Sequence, residues 1–512
     1  MARYKYQDPS QGLFLNVNLK DQLLPGSFEW TLDYLIDRTD LSLFCLAYNN
    51  DEKGAPAYNP SVLLKIIFYC YSRGIITSRP IEQAAKTNVV IKALASDAEP
   101  DHDTIAHFIS SNSDAIKDLF TQILIQCSQL GLINGEMFAI DGCKLPSNAS
   151  REWSGSIGEL KKKRTDLQKL ASRIIEQHKE LDKSESAKKI QKPFKKTMGD
   201  DEERRQRHID RIERKIAKLD AFLKTAEKRI GSSAGEVQSN ITDGESARIK
   251  SSHGYIQGYN GIAIADSAHQ IIVSAEAFGS GSESQHFPQM LDSLEENMRT
   301  VTGKEEPLKK SLVTGDTGFF SENNLQEAKK RNINVLIPDQ QFRRRDPYFD
   351  NRKGHKVNRF TAHDFTYNKE NNTFICPNKK VLIYKGFVKL NRNSGDKYQA
   401  SPGDCKYCKF LSRCVASRGG KTHMRTLYLP ASKNIENLSD KMRNKIDDPA
   451  YRELYSRRMQ IIEPVFADIT YCKGMNRFSL RSKGKVNIQW LLFCMVHNIA
   501  KCIHPLELGY GN

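Results

Sequence analysis

No uninterrupted run of about 18 apolar residues occurs in this 512-residue chain, so a simple bilayer-spanning helix is not expected. The nearest candidate, "WLLFCMVHNIAKCI", is broken by His497, Asn498 and Lys501 and reads as a core helix. The stretch "MARYKYQDPSQGLF" lacks the apolar centre of a secretory signal, so a cytoplasmic protein is expected. No internal repeat is found, and length alone suggests about three domains. Acidic residues are in deficit, 61 against 78 basic ones, which leaves a net charge of +17 and a pI near 9.2. A field of that sign favours polyanions such as nucleic acid; a merely basic surface is the alternative reading. With no export signal, the eleven cysteines point to a reducing compartment, where close pairs hold metal or sit as thiols more often than they form disulfides.

From Ser61 to about Leu130 the signals are helical. "SVLLKIIFYCYSRG" is densely apolar, and the next segment opens with a cap at Thr77 or Ser78 and Pro80 in its first turn. Ser113 is expected to cap a helix whose apolar residues, Ile116 through Leu130, recur at spacings of three and four before Gly131. In "EPDHDTIAHF", the Asp101, His102 and Asp103 cluster resembles metal ligands, but helix capping by Asp103 is the preferred reading.

"FAIDG" then reads as a buried strand ending on Asp141. From Glu159 to Ile230 the composition turns to Lys, Arg and Glu, while Leu160, Leu167, Ile174 and Leu181 recur every seven residues. Ile209, Ile212, Ile216, Leu219, Leu223, Ala226 and Ile230 keep a three-four alternation. These are two coiled-coil segments. With "KKIQKPFKKTMGD" between them they make an antiparallel hairpin whose basic tip could track phosphates; a solvated charged face is the alternative. After "NITDGESARIKSSHG", "YNGIAIAD" and "QIIVSAEAF" form an antiparallel pair. A helix near "FPQMLDSLEENM", the strand "SLVTGD" ending on Asp316, a helix from about Glu322 to Arg331 and the strand "INVLIP" follow. That order predicts an α/β fold, a ribonuclease-H-like mixed sheet with helices on both faces, in which sites form at the carboxyl ends of the strands. A carboxylate at a strand tip is reasonable where a hard cation such as Mg²⁺ neutralises it; a turn or cap residue is the alternative for each aspartate taken singly.

The combination of "FAIDG", "GDTGFF" and, far along the chain, Tyr455, Arg458 and Glu463 in "YSRRMQIIEPVF" resembles the DDE transposases of bacterial insertion sequences. Within them it is similar to the group marked by a Tyr-Arg-Glu-Lys signature, and more narrowly to the insertion-sequence family numbered eleven eighty-two. The resemblance extends through "YNPSVLLKIIFYCYSRGI", "SRPIEQAAKTN" and "PDHDTIAHF" and on to "RFSLRSKGKVNIQWLLFCMVHNIAK". It implies that Asp141, Asp316 and Glu463 bind Mg²⁺ or Mn²⁺, and that Tyr455 and Arg458 hold the transposon-end backbone. The sequence departs from the signature where Thr470 replaces the usual lysine, seven residues after the glutamate; Lys473 is the candidate substitute. Arg458 also stands one residue further from the glutamate than is usual in the group. Pro464 predicts a kink beside Glu463. Arg477 and Arg481, in "RFSLRSKGK", are further candidate DNA contacts.

Between Asp316 and Glu463 lie 146 residues, and a long, largely β insertion there is itself similar to the wider transposase group. Cys376, Cys405, Cys408 and Cys414 make a C-x28-C-x2-C-x5-C pattern that suits structural Zn²⁺; four reduced thiols are the alternative. The remaining cysteines, including Cys143 beside Asp141, are read as core or incidental. The domain expectation is a helical DNA-binding domain at 1–134, the first catalytic strand at 135–150, a coiled-coil insertion at 151–235, the catalytic core at 236–340, a β/zinc insertion at 341–430 and the glutamate helix with the C-terminal helix at 431–512. The functional expectation is a transposase that cleaves at terminal inverted repeats and joins the ends to target DNA, as a homodimer on DNA, nucleoid-associated and with no membrane role. A non-joining nuclease of the same fold, an inactive zinc-containing DNA-binding protein and a coiled-coil scaffold are the rivals.

Overall fold

The computed structural model describes residues 18–46, 56–186, 198–231, 235–251, 254–346, 360, 362–388, 395–415, 424–430 and 438–510. It divides into two compact units, Met1–Pro338 with Asp448–Asn512, and Asp339–Asp447. The second unit is thus wider than the β insertion expected at 341–430.

The first unit begins with helices α1 (Phe28–Ile36), α2 (Pro60–Ser72), α3 (Ser78–Thr87), α4 (Val89–Ala95), α5 (His102–Ser111) and α6 (Ser113–Gln129). Asp101, not Asp103, caps α5 by accepting from the Thr104 N–H at 2.7 Å, because only the residue before the first turn can fold its side chain back onto those amides. Ser113 is already helical; Asn112 is the cap residue of α6 and makes no side-chain cap bond.

Six strands form a mixed sheet: β1 (Met137–Pro146), β2 (Ala247–Ser251), β3 (Gly254–Asp266), β4 (Ile272–Phe278), β5 (Leu312–Gly315) and β6 (Asn334–Leu336). The path runs β2-β3-β1-β5-β6, with β4 pairing the other half of the β3 edge that β2 occupies. β1 is antiparallel to β3 and parallel to β5, which is parallel to β6. β1 does not stop at Asp141. It pairs with β5 only as far as Ile140 against Gly315, then continues alone with β3 to Pro146. β2 arises from "ARIKS", a segment to which the sequence pattern assigned no element.

The coiled-coil segments become α7 (Ile157–Ser186) and α8 (Met198–Thr225). They run antiparallel, with Arg164 near the start of α7 paired to Asp220 near the end of α8. Leu160, Ala171, Ile209, Ile212 and Leu219 are buried along the seam. Ala226 and Ile230 lie beyond α8, and Ile230 is exposed in an isolated bridge to Glu236. The basic tip falls largely outside the described residues.

Helix α9 (Phe287–Thr302) packs on β4, and α10 (Glu322–Lys330) follows β5. After the second unit come α11 (Pro449–Ser456), α12 (Arg458–Ala467), which packs on β1 and β3, and α13 (Lys483–Lys501), which packs on β4 and α6. By length and composition, Lys483–Gly509 is apolar enough to cross a membrane, yet most of that segment is buried inside the protein. Trp490 of α13 lies over Gly261, where any Cβ would come within 2.9 Å of the ring. Asn498 accepts from the Ile272 N–H at 2.8 Å and donates to its carbonyl at 2.9 Å, and Asn487 accepts from the Ala277 N–H at 2.6 Å. The free edge of β4 is therefore satisfied by helix side chains instead of a further strand.

Pro464 sits inside α12 without ending it. A proline cannot donate to the carbonyl four residues back, and the Gln270 side-chain amide fills that role by donating to the Gln460 carbonyl at 2.8 Å. The irregularities fall elsewhere: Arg457 separates α11 from α12, and a π-helical turn, Asp468–Cys472, follows. Tyr455 and Glu463 thus stand on different helices.

The second unit holds an antiparallel sheet, β7 (Thr366–Asn368), β8 (Thr373–Ile375), β9 (Val381–Val388), β10 (Gly395–Ala400) and β11 (Thr426–Pro430), paired in sequence order. Phe365, Phe374, Leu382, Tyr398, Ala400 and Leu427 form its core, with Cys376, Cys405 and Cys414 packed against it. Arg345 bonds Asp339 and Asp447, each at 2.6 Å, and so ties the first and last residues of this unit together. Of the arginines in "QFRRRDPYF", that one serves the fold.

Candidate active site

Asp141 and Asp316 come together because β1 and β5 run parallel in register. The last pair is Ile140 with Gly315, and the next residue on each strand is an aspartate. Asp141 is mostly buried and its Oδ1 accepts from the Gly142 N–H at 2.8 Å. Burial pushes its carboxyl above the usual range, the Arg458 guanidinium pulls it down, and the nearby Asp316 charge raises it again. Arg458, buried at the start of α12, reaches Asp141 Oδ2 at 2.5 Å. Its Nε is also buried and, among the described residues, has no hydrogen-bond partner. A cation therefore already sits against the first aspartate.

Glu463 is not gathered in. It is exposed on α12, and among the described residues it makes no ion pair. Five residues from Arg458 correspond to about 140° around an α-helix, so the two side chains leave α12 in different directions. Tyr455 is half-buried on α11. Lys473 is buried, held in an ion pair with Asp468, which also meets His497 Nδ1 at 2.6 Å. Burial raises the Asp468 carboxyl, but the hydrogen bonds and charges of His497 and Lys473 outweigh it and hold the group down at about 2. The lysine offered as a phosphate contact is engaged inside the fold. Arg477 and Arg481 are exposed; Arg477 donates to Asn148 Oδ1 at 3.0 Å and Arg481 to the Asn148 carbonyl at 2.8 Å, just past the end of β1. Cys143, one strand position beyond Gly142, has its thiol pushed up to about 12 by burial, which leaves it no nucleophilic thiolate near neutrality.

Sequence reasoning missed Glu283. It lies between β4 and α9, is 7% exposed, and pairs with Lys144 of β1 at 3.2 Å. Burial raises its carboxyl first and the Asp316 charge next. The signals that could have found it are the two glycines that follow the aspartates. A Cβ on Gly142 would lie 2.7 Å from Asn260 Oδ1 and 3.0 Å from Glu283 Oε1. One on Gly318 would lie 2.0 Å from Glu283 Oε2 and 2.9 Å from Asp316 Oδ1.

In the second unit, Cys376, Cys405, Cys408 and Cys414 line one cavity of about 20 Å³, room for a single small atom. Cys376 Sγ accepts from the Lys380 N–H at 3.3 Å. The Cys414 thiol is raised by burial, opposed by Arg425, and raised further by the other three cysteines. Among the described residues, no three His, Cys, Asp or Glu side chains stand close enough to close on one ion, at the aspartates or at the cysteines.

Residues 375–503 match the family described as "Transposase DDE domain". Residues 17–111 match the "Transposase domain (DUF772)". The first match takes in the four cysteines and Glu463; the second takes in most of the helical module. No curated protein matches the chain. The two matches support a DDE transposase, and with it DNA as the partner.

Proposed function

We propose that the chain cleaves DNA at the ends of a mobile element and joins the freed ends to target DNA, with Asp141, Asp316 and Glu463 as the carboxylates of the reaction. The observation that carries this reading is the side-by-side placement of Asp141 and Asp316 where two parallel strands stop pairing, in a chain with two transposase-domain matches. The strand order supports a ribonuclease-H-like core. A divalent ion held by these carboxylates would activate an attacking oxygen and stabilise a leaving one in displacement at phosphorus. The donor set fits such an ion: oxygen ligands only, two carboxylates side by side where adjoining strands stop pairing, and an Asp141 carboxyl raised by burial and by the Asp316 charge, which a cation would relieve.

The chain's own residues supply position and charge. Arg458 neutralises Asp141 and fixes its rotamer. Arg477 and Arg481 stand exposed beyond β1, where they can hold the backbone on either side of the scissile bond. Glu463 is brought to the aspartates on the DNA complex, by movement of α12 between its two irregular ends at Arg457 and Asp468–Cys472. Water first attacks the phosphodiester at the element's end and releases a 3′-hydroxyl. That hydroxyl then attacks a target-strand phosphate, displacing the target's own 3′ oxygen. Both ends must be joined in one complex, so a dimer forms on DNA. In the second unit, Cys376, Cys405, Cys408 and Cys414, which line one small cavity, would hold structural zinc, with the Lys380 amide as a supporting donor to Cys376.

Strand transfer with precleaved ends tests the reading. The parent protein should give joined product with Mg²⁺ and the Asp141→Asn variant none. Cleavage without joining would indicate a plain nuclease, and a parent inactive under all divalent ions would sink the enzyme reading.

A further inference from the structure

Glu283 has no role in the aspartate–glutamate arrangement just described, yet the fold spends two glycines and a buried asparagine on accommodating it. We infer that Glu283 is an additional metal ligand, which with Asp316 holds a divalent cation in the DNA-free protein, before Glu463 arrives. The inference rests on the metal-dependent reading above and extends it to a residue outside the expected triad.

Three observations carry it. First, Glu283 Oε2 and Asp316 Oδ1 both border the small space at Gly318, so these oxygens are less than about 5 Å apart, close enough to share one hard cation. Second, Gly142 and Gly318, one and two residues after the respective aspartates, leave a cradle that a methyl group at either position would fill. Third, Asn260 is fully buried, donates Nδ2–H to Glu283 Oε1 at 3.3 Å, and presents its Oδ1 to the Gly142 side with no hydrogen-bond partner. A buried carbonyl oxygen left unsatisfied is costly, and beside two carboxylates it is an oxygen donor awaiting a cation or its water.

Register explains why the carboxylates do not already close into one shell. Lys144 and Asn260 are partners across β1 and β3 and share a face with Glu283, whereas Asp141, three residues before Lys144, projects from the other face. Asp316 lies past the end of β5, where both faces are within reach. Without metal, Lys144 and Arg458 act as the counter-charges on the two sides.

Mn²⁺ binding to the full-length, DNA-free protein, followed by electron paramagnetic resonance and titration calorimetry, tests this. The parent should bind Mn²⁺. Glu283→Gln should weaken binding at least tenfold, Glu283→Asp should recover part of the loss, and Glu463→Gln should leave it unchanged. Lys144→Met is the control for a structural ion pair: as a competitor of the metal, its removal should keep or tighten affinity. The inference is overturned if Glu283→Gln binds like the parent with its circular dichroism unaltered, if Lys144→Met loses affinity in step with Glu283→Gln, or if the DNA-free parent binds no Mn²⁺. In any of those cases, Mg²⁺-dependent joining that is abolished by Asp141→Asn leaves the proposed function standing. Loss of both joining and Mn²⁺ binding removes the two together.

Discussion

Replacing Asp316 by asparagine should stabilise the protein when no divalent cation is added. Asparagine is isosteric and keeps the oxygen that accepts from the Gly318 N–H at 2.8 Å, so the change is chiefly one of charge. Asp316 faces Asp141 and Glu283, and its charge raises the carboxyls of both, after burial has already done so. Two unit charges about 5 Å apart at an effective dielectric near 20 repel by about 3 kcal/mol. Asp316 is only half-buried, and solvent screening reduces this to ~1–2 kcal/mol. For a unit of this size that is about 1–3 °C in Tm. The pH dependence has a definite sign. A carboxyl whose folded pKa is raised binds its proton more tightly when folded, so its stabilisation is complete below the ordinary carboxylate range and is lost as pH rises through the raised value. The advantage of the Asp316→Asn variant should therefore be full at pH ~7.5 and shrink as pH falls toward ~4. Urea unfolding of parent and variant across that range, without added divalent ions, is the assay. Added Mg²⁺ should stabilise the parent and not the variant. An Asp316→Asn variant that is destabilised equally at every pH would refute the reasoning, because the carboxylates would then not repel one another.

Three further outcomes are expected. Gly318→Ala puts a methyl group against Glu283 and should cost ~1–3 kcal/mol; most of that loss should disappear in a Glu283→Ala background, which a double-mutant cycle in urea would detect. Cys405→Ser, or treatment with a strong zinc chelator, should unfold the Asp339–Asp447 unit while the six-stranded sheet survives, read by limited proteolysis and mass spectrometry; proteolysis unchanged by chelator would count against zinc. Replacing Arg477 and Arg481 together by Ala should weaken binding to DNA of any sequence and flatten the slope of log affinity against log salt by about 2; an unchanged slope would show that neither meets phosphate.

Periodicity and strand chemistry make much of this protein legible from its sequence. The apolar helices and the strand–hairpin–strand–helix–strand order follow from local pattern, whereas the register that aligns two aspartates comes from pairing between distant strands. The elements that were misread depend on partners distant along the chain. "ARIKS" is too short and polar to be assigned an element by its own pattern, and becomes a strand by pairing with the first half of β3. β1 outruns Asp141 because β3 continues to offer partners as far as Gly258. Pro464 does not end its helix, and Gln270, nearly two hundred residues earlier, satisfies the carbonyl it orphans. Lys473 matched a motif by proximity, but inside the fold it pairs with Asp468, which His497 also holds. Glu283 carried no motif at all; only the space denied to side chains at Gly142 and Gly318 discloses it.

The central claim is that Asp141, Asp316 and Glu463 meet around a divalent cation when DNA is bound, although Glu463 stands exposed in the DNA-free fold. Anomalous diffraction from crystals of the protein with element-end DNA and Mn²⁺ addresses it directly. The account predicts a manganese peak with carboxylate oxygens of Asp141, Asp316 and Glu463 at ligand distance, about 2.2 Å. A peak at the aspartates with Glu463 still facing solvent, or no peak between β1 and β5, would contradict it.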